Sequence, residues 1–405
     1  MHRAAALLLV LALLFMPLIC SLRALSLSRR FSATTTIRSL KMSAAPNNIK
    51  VTTYNVLSSH LGGADYYTTC KPEDLDPPTR LQRLKSKLDQ EVAAGAIICL
   101  QEVSTHWAGN LHAYFSSRGY CLVTGLYGNK FNGYMGVAIA APLKDYDVLG
   151  VDISNVADTK RMARKPKPTL VQKLLAMLKE PLLQLLKAIG VWKPQADPWR
   201  EALRRYNQMV SVRLQPKAAG GRPFVVGTYH MPCMFKLPSV MMIHCALSAQ
   251  HIQRLAKRFT DASTSPSSSS SSSASQSASP DPYIYVGDFN IKPDSSMYRL
   301  LTQGSVEPAC PDLPPKEPGD AWAPAVAPMG SAYAAANGQE PPYTNWAKTK
   351  DDPAFVGTLD YIFYSQGDWA VTRVRDLRTE QLAGPFPIAD EPSDHLLLSA
   401  DLSLK

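Results

Sequence analysis

Short apolar runs, most of them closing on a polar or charged group, recur from Lys50 to Leu402 and constrain this 405-residue chain more than any other feature. Lys50–Tyr54, Ala96–Leu100, Met135–Ala140, Met209–Leu214, Pro223–Tyr229, Tyr283–Gly287, Thr358–Tyr364 and Leu396–Leu402 are each five to seven residues long. Their β-branched and aromatic content predicts strands. Pro78–Ala93 reads as a helix. Many strands with few helices predict a layered α/β sandwich with largely antiparallel sheets. No internal repeat is visible. The one apolar run near membrane-spanning length, Ala4–Cys20, stands at the N-terminus, which excludes a polytopic membrane protein.

The formal charge of +10 is unevenly placed. Residues 1–50 hold seven basic and no acidic side chains, and residues 160–205 hold twelve basic and three acidic, which leaves the rest of the chain at −6. A mildly acidic body suits a cation-binding carboxylate cluster. The basic segment reads either as a solvated helix face or as a patch that meets a polyanion or an anionic membrane. The seven cysteines, Cys20, Cys70, Cys99, Cys121, Cys233, Cys245 and Cys310, form no CxxC pair. A zinc site or a dense disulfide framework is not expected. They read mostly as buried thiols in a reducing compartment.

Residues 1–48 read as a targeting segment. Arg3 and the apolar run resemble a signal peptide or anchor, and the acid-free Ser/Arg stretch Ser21–Lys41 resembles a transit peptide. The tandem predicts an organelle, a plastid by a bipartite leader or else a mitochondrion. The alternative is a membrane anchor in the secretory pathway. Met42 offers an internal start.

Residues 49–405 read as the folded domain, with two inserted segments. Residues 261–281, with Ser263–Ser279 almost all serine, read as a disordered loop between a helix and a strand. Residues 158–199 centre on Leu170–Ile189, amphipathic at helical period. Leu170, Val171, Leu174, Leu175, Leu178, Leu182, Leu185, Leu186 and Ile189 share one broad face. Pro181 should kink this helix and Gly190 should end it. The plain reading is a helix packed on the core, and the functional one is a lid or a membrane-surface helix.

The chemistry sits where apolar runs end. Asn55 lies in VTTYNVLSSHL and Glu102 in ICLQEVS. His230 lies in GTYHMPC, with Asp288 and Asn290 in YVGDFNIKPDS. Asp360 lies in TLDYIFYS, and Asp394 and His395 in EPSDHLLLSADL. Singly, each has a plain explanation. Glu102 serves as a cap or an ion-pair partner, and Asp288 with Asn290 as an Asx-turn. His230 fits a satisfied core histidine, and Asp360 and Asp394 fit loop carboxylates. Together they place polar groups where packing alone prefers apolar ones, in the order N, E, H, D-x-N, D, D-H.

With these motifs the chain resembles the endonuclease/exonuclease/phosphatase superfamily, the deoxyribonuclease-like fold. The YNVL start, the Tyr67, Cys70 and Arg80 spacing, ICLQEV and the closing PSDHLLL resemble its deadenylase and nocturnin-like branch. Arg205-Tyr206-Asn207-Gln208 is similar to an Asn-Gln pair of that branch. The resemblance implies a four-layer α/β/β/α sandwich and Mg²⁺- or Mn²⁺-dependent hydrolysis of a phosphate ester by in-line attack of water. Under it, Glu102 with Asn55 and Asp394 would form the metal site. Asp288 would be the general base, with Asn290 beside it on the same face of an extended chain. Asp360 would orient His395, which contacts a phosphate oxygen. His230 would be a phosphate ligand or leaving-group acid, and Asn207 and Arg205 would lie on the substrate side.

The substrate stays open at this point. A 3′-5′ exoribonuclease on single-stranded RNA, deadenylase-like, is the first expectation. The basic insertion would then grip the backbone, and Tyr229, Phe235, Tyr343 and Trp346 read equally as base-stacking or as core residues. A nucleotide phosphatase, favoured by the acidic body, and a membrane-associated phospholipid phosphodiesterase or phosphoinositide phosphatase are the alternatives. Peripheral membrane contact through the N-terminus or residues 170–189, and a monomer, complete the reading. A non-catalytic scaffold is disfavoured because every core position holds a competent residue.

Overall fold

The computed structural model describes residues 48–160, 169–189, 196–264, 279–316, 322–350, 352–377 and 384–405, all within the compact unit Ala45–Lys405. The leader with Cys20 and Met42, Gly190 and the centre of the serine tract lie outside the described residues.

Strands β1 (Asn48–Asn55), β2 (Ile97–Val103), β3 (Tyr120–Leu126), β4 (Gly136–Pro142), β5 (Tyr146–Asn155), β6 (Gln208–Pro216), β7 (Phe224–His230) and β8 (Tyr283–Asp288) carry most of the core. Then come β9 (Met329–Ser331), β10 (Asn345–Ala347), β11 (Phe355–Gly357), β12 (Asp360–Ser365), β13 (Trp369–Val374) and β14 (Leu398–Leu404). Two six-stranded sheets run β13-β14-β1-β2-β4-β3 and β5-β6-β7-β8-β12-β9, and β10 and β11 pair apart. In each six-stranded sheet one central pair is parallel, β1 with β2 and β7 with β8, and the other pairings are antiparallel.

This topology positions the site. The C-terminal ends of β1 and β2 lie side by side, and so do those of β7 and β8. The antiparallel neighbours start where these end: Asp360 pairs with Asp288 across β12 and β8, and His230 with Asp288 across β7 and β8. The C-terminal ends of β1, β2, β7 and β8 thus gather Asn55, Glu102, His230 and Asp288, and the N-terminal end of β12 adds Asp360.

Apolar side chains from both sheets fill the central layer, among them Val51, Ile97 and Ile139 from one sheet and Val212, Val226 and Ile284 from the other. Helices cover the two outer faces. On one side Pro77–Ala93 and Thr105–Ser116 pack on Ile98, Leu100 and Ala138. On the other, the 27-residue helix Pro238–Thr264 packs on β7 and β8. Pro77–Ala93 begins where the Asp76 side chain accepts the Thr79 amide, with prolines in the first turn, and Leu84 and Leu88 point inward. Burying each of those leucines contributes roughly 2 kcal/mol.

Several expectations are corrected. Helix is more abundant than the apolar runs indicated, because residues 240–249 of Pro238–Thr264 are buried all round and show no clear period. Strands β3, β5 and β13 were missed: each lies at a sheet edge, where fewer apolar side chains are needed. Order reaches into the expected disordered loop 261–281 from both sides, since the helix runs to Thr264 and buried Asp281 accepts from Arg213 Nε at 2.7 Å. Of the six described cysteines, all free, Cys99 and Cys245 are buried, while Cys233 is exposed. The segment Leu170–Ala188 is a helix that continues through Pro181, and its apolar face does not pack on the core: Leu170, Val171, Leu174, Leu178 and Leu185 are all more than half exposed.

His244, in the long helix, links stability to pH. Its Nε2 donates to the Ala202 carbonyl at 2.9 Å, so Nδ1 accepts from the Tyr229 hydroxyl at 2.8 Å and the ring is neutral. Burial holds its pKa down at about 4. The unfolded chain, with histidine near 6.5, takes up the proton first. Stability is therefore full above pH 6.5, declines as pH falls towards about 4, and is flat below. His244 should account for about 3 kcal/mol of that loss. Urea titrations from pH 7 to 4 should show a shallower decline for His244→Gln, and an unchanged slope would refute this linkage.

Candidate active site

Asn55 closes β1 and ties the two carboxylates nearest it. Its Nδ2 donates to Glu102 Oε1 at 3.1 Å and to Asp288 Oδ2 at 3.0 Å, while its Oδ1 accepts the Leu57 amide at 3.0 Å. The Leu57 N–H can only donate, which orients the amide. Asn55 therefore presents N–H groups to the carboxylates.

Glu102 reaches the site by leaving regular strand geometry. Its φ is +60°, left-handed for a non-glycine residue, and the β2–β4 register shifts between Leu100 and Val103. Such backbone costs about 1–2 kcal/mol. Leu57 and Asn290 also have positive φ, so three of the four such non-glycine residues among the described ones stand at this site. Glu102 Oε2 accepts the Ser58 amide at 3.0 Å.

Asp288 ends β8. Its Oδ1 accepts the Asn290 amide at 2.9 Å, an Asx-turn, so the plain reading of this pair holds for one oxygen. The other, Oδ2, lies 3.5 Å from His230 Nε2 and 3.7 Å from His395 Nε2. Asn290 is not on an extended chain with Asp288: the strand has ended, its φ is +53°, and its Nδ2 donates to the Met231 carbonyl at 2.9 Å. Gly287 is required beside it, since a Cβ there would stand 1.9 Å from the Tyr229 carbonyl oxygen. Burial raises the Asp288 pKa and Asp360 adds to it, against His395 and His230, which lower it; the net direction is upward.

His395 Nδ1 lies 2.8 Å from Asp360 Oδ2. Thr344 Oγ1 donates to the same Asp360 oxygen at 2.6 Å and accepts the Asp360 amide at 3.1 Å. Burial disfavours the charged ring, but Asp360, Asp288 and Asp394 outweigh it and hold the His395 pKa well above its ordinary value. The ring thus lies between two carboxylates that favour its charged form. His230 is not a satisfied core histidine: its Nδ1 is buried without a hydrogen-bond partner, as is Asp360 Oδ1.

Asp394 stands beside His395, where its Oδ2 accepts from Tyr67 Oη at 2.9 Å and Asn345 Nδ2 at 3.3 Å. Asn207 Nδ2 donates to the His230 carbonyl at 2.8 Å, buttressing the end of β7. Arg205 sends its guanidinium to Met234 Sδ at 3.0 Å, on the loop after β7.

Residues 52–395 match the model of the Endonuclease/Exonuclease/phosphatase family. The chain belongs to this family. Nocturnin from Rattus norvegicus is 35% identical over 127 residues, 30% of this chain and 24% of that protein. The CCR4-Not complex 3′-5′-exoribonuclease subunit Ccr4 from Mycosarcoma maydis is 25% identical over 223 residues, 53% of this chain and 32% of that protein. The matches thus span a quarter to a third of these relatives. Among solved structures, ANGEL2, a 2′,3′-cyclic phosphatase in complex with adenosine-2′,3′-vanadate, has a TM-score of 0.61 at 19% identity, over 89% of this chain and 96% of that one. The human Nocturnin catalytic domain with bound sulfate gives 0.54 at 20% identity, over 89% and 94%. The family's α/β sandwich and the deadenylase and nocturnin-like branch are therefore those of this chain.

The donor set fits the divalent cation that members of this family generally use. Glu102, Asp288, Asp360 and Asp394 are buried together, and the buried cations near them are His395 and Arg80. Four carboxylates against two cations leave a surplus of negative charge away from water, and hard oxygen donors suit such an ion. One ligand atom each from Asp288, Asp360 and His395 lies within 4.8 Å of the others. In that trio the imidazolium already fills the cation's place. Glu102, whose oxygens carry only two hydrogen bonds, is the better pole for a metal.

Four further residues organise the site, and only the spacing of Tyr67 and Arg80 hinted at any of them. Tyr67 and Thr344 hold the two aspartates. Gln101 bridges the sheets, donating to Thr53 at 3.0 Å and Thr228 at 2.9 Å. Arg80, fully buried, donates to the carbonyls of Val56, Leu57 and Pro392 at 2.5–2.8 Å, pinning the two segments that carry Asn55 and His395. Arg80→Met should therefore cost about 2–3 kcal/mol, as orphaned carbonyls outweigh the relief of a buried charge. Chemical denaturation measures this, and a loss below 1 kcal/mol would contradict it. Of the four aromatics left open between base stacking and core, Tyr229 is wholly buried with its hydroxyl on His244, and Tyr343 is core. Phe235 is exposed and Trp346 half-buried.

Proposed function

We propose that this protein is a metal-dependent phosphoester hydrolase that trims single-stranded RNA from its 3′ end, a deadenylase-like exoribonuclease. One observation carries the nucleic-acid substrate. Five aromatic side chains are exposed among the described residues, Tyr66, Phe131, Tyr134, Tyr206 and Phe235. All stand on segments that join strands or helices, Phe131 in the one-turn 3₁₀ helix Lys130–Asn132. Tyr66 follows β1 and Phe235 follows β7. Phe131 and Tyr134 flank Asn132, whose carbonyl accepts from Ser58 Oγ at 2.8 Å, and Tyr206 precedes Asn207. Exposed aromatics otherwise cost solvation, and flat faces around a phosphate site suit stacked bases.

Asp288, oriented by Asn55 and the Asn290 amide, takes the proton of an attacking water. His395, held by Asp360, donates to a non-bridging phosphate oxygen and stabilises charge as it grows. His230, whose Nε2 lies 3.5 Å from the same oxygen of Asp288, is placed to protonate the leaving oxygen. Mg²⁺ or Mn²⁺, held by Glu102 with Asp394 as a second carboxylate, would supply further charge neutralisation on the phosphoryl group. Asn55 positions the carboxylates through its N–H groups.

The second reading is a nucleotide phosphatase, favoured by the net −6 of the body outside the two basic segments. Purified protein with Mg²⁺, 5′-labelled oligoadenylate and NADP separates the two. Stepwise shortening of the RNA supports the exonuclease. Phosphate from NADP with intact RNA replaces it by the phosphatase, and turnover of neither defeats both.

A further inference from the structure

The helix Leu170–Ala188 leaves its leucines uncovered, and Lys179, Glu180 and Gln184 on its other side are exposed as well. Leu170 is 83% exposed, Leu174 60% and Leu178 68%. A packed amphipathic helix does the reverse. These positions, with Val171, Leu175, Leu185 and Ile189, recur at helical spacing and make one stripe, about 28 Å long at 1.5 Å per residue. Gln172, Lys173, Lys179, Glu180, Gln184 and Lys187 occupy the other side of the helical wheel. No described helix is long and apolar enough to cross a membrane.

We infer that this helix is a peripheral membrane anchor that lies in the surface of an anionic lipid bilayer. Charge selects this occupant. The surrounding segment 160–205 is net +9, and four of the seven residues 161–167 are Lys or Arg. Cationic residues beside a leucine face match anionic headgroups above acyl chains, and lysine stems can lie along the apolar boundary with their ammonium groups in water. An RNA partner is disfavoured because the sequence 170–189 contains no aromatic residue and its exposed stripe is aliphatic. Two copies meeting through this stripe would bring the same positive charge together.

The test is hydrogen-exchange mass spectrometry on the full chain, reading the amides of residues 170–189. Vesicles of phosphatidylcholine with 30% phosphatidylglycerol (roughly the anionic share of an acidic leaflet) should slow their exchange at least tenfold, and pure phosphatidylcholine should not. High salt should reverse the effect. Leu174→Glu with Leu178→Glu should abolish the protection, and Lys179→Gln should weaken vesicle partitioning about fivefold. Both variants should hydrolyse a small soluble nucleotide at the parent rate, since these side chains lie outside the active site. Because the readout is local, attachment through Ala4–Cys20 alone leaves it unmoved and counts against the proposal. It is also overturned by equal protection with neutral vesicles or by protection with oligoadenylate instead of lipid. Protection that grows with protein concentration without vesicles would assign the face to a second copy, and protection in dilute lipid-free protein would assign it to the protein's own core.

Discussion

Asp288→Asn should lower kcat by about 10³-fold or more while KM moves less than fivefold. A positioned general base is worth about 10²–10⁴-fold, and the amide cannot accept a proton at neutral pH. The substitution preserves shape. The side-chain oxygen can still accept the Asn290 amide, so the Asx-turn after β8 should persist. The change falls on the second atom, where an NH₂ would replace an oxygen that faces Asn55 Nδ2, His395 and His230. Donors would then oppose donors, but a buried charge whose pKa was raised by desolvation would also be gone. Stability should therefore change little, which separates a catalytic loss from unfolding. Single-turnover rates on oligoadenylate, with circular dichroism and denaturation as controls, make the measurement. Activity within tenfold of the parent would remove Asp288 from the role of base.

Glu102→Gln should reduce kcat/KM by about 10²–10³-fold at fixed Mg²⁺ and raise the metal concentration for half-activity at least tenfold. The glutamine keeps volume and can still accept one of the hydrogen bonds from Ser58 and Asn55. It removes one negative charge from a cluster whose surplus is what favours a cation. A readout apart from activity exists. Mg²⁺ should raise the Tm of the parent protein, since any ligand bound only by the folded state stabilises it in proportion to the logarithm of its concentration over Kd. That gain should be lost in Glu102→Gln. An equal Mg²⁺-dependent shift in the variant would move the metal away from Glu102, and the Asp288, Asp360 and His395 cluster would be the place to look.

The two predictions rest on different kinds of legibility. Glu102 and Asp288 were visible as carboxylates closing apolar runs, a pattern that packing alone does not produce. The left-handed backbone that turns Glu102 into the site was not visible, because nothing in ICLQEV marks a bulge. The exposed leucines of 170–189 were visible as a periodic stripe, but period alone does not say whether a stripe meets a core or solvent.

The partners of the catalytic groups were the least legible. Thr344 lies in an irregular segment before β10, and its hydroxyl matters only because the chain returns it to Asp360. The spacing of Arg80 marked it as part of the resemblance, but its role shows only where the loops after Asn55 and before His395 close over it. The sequence left Tyr229 open between stacking on a base and packing in the core, and it is core, since both faces of a central strand are covered in a sandwich.

Taken alone, the amino-acid order determined which residue types stand at strand ends, and therefore the family. Strand and helix periods are local, and side chains within a few residues decide them. The tertiary structure decided which ends meet. Two parallel strand pairs, one in each sheet, bring Asn55 beside Glu102 and His230 beside Asp288. The antiparallel neighbour β12 brings Asp360 to Asp288, and the chain entering β14 brings Asp394 and His395. Pairing and register between distant segments depend on the fit of whole sheet faces, and no local pattern carries that information.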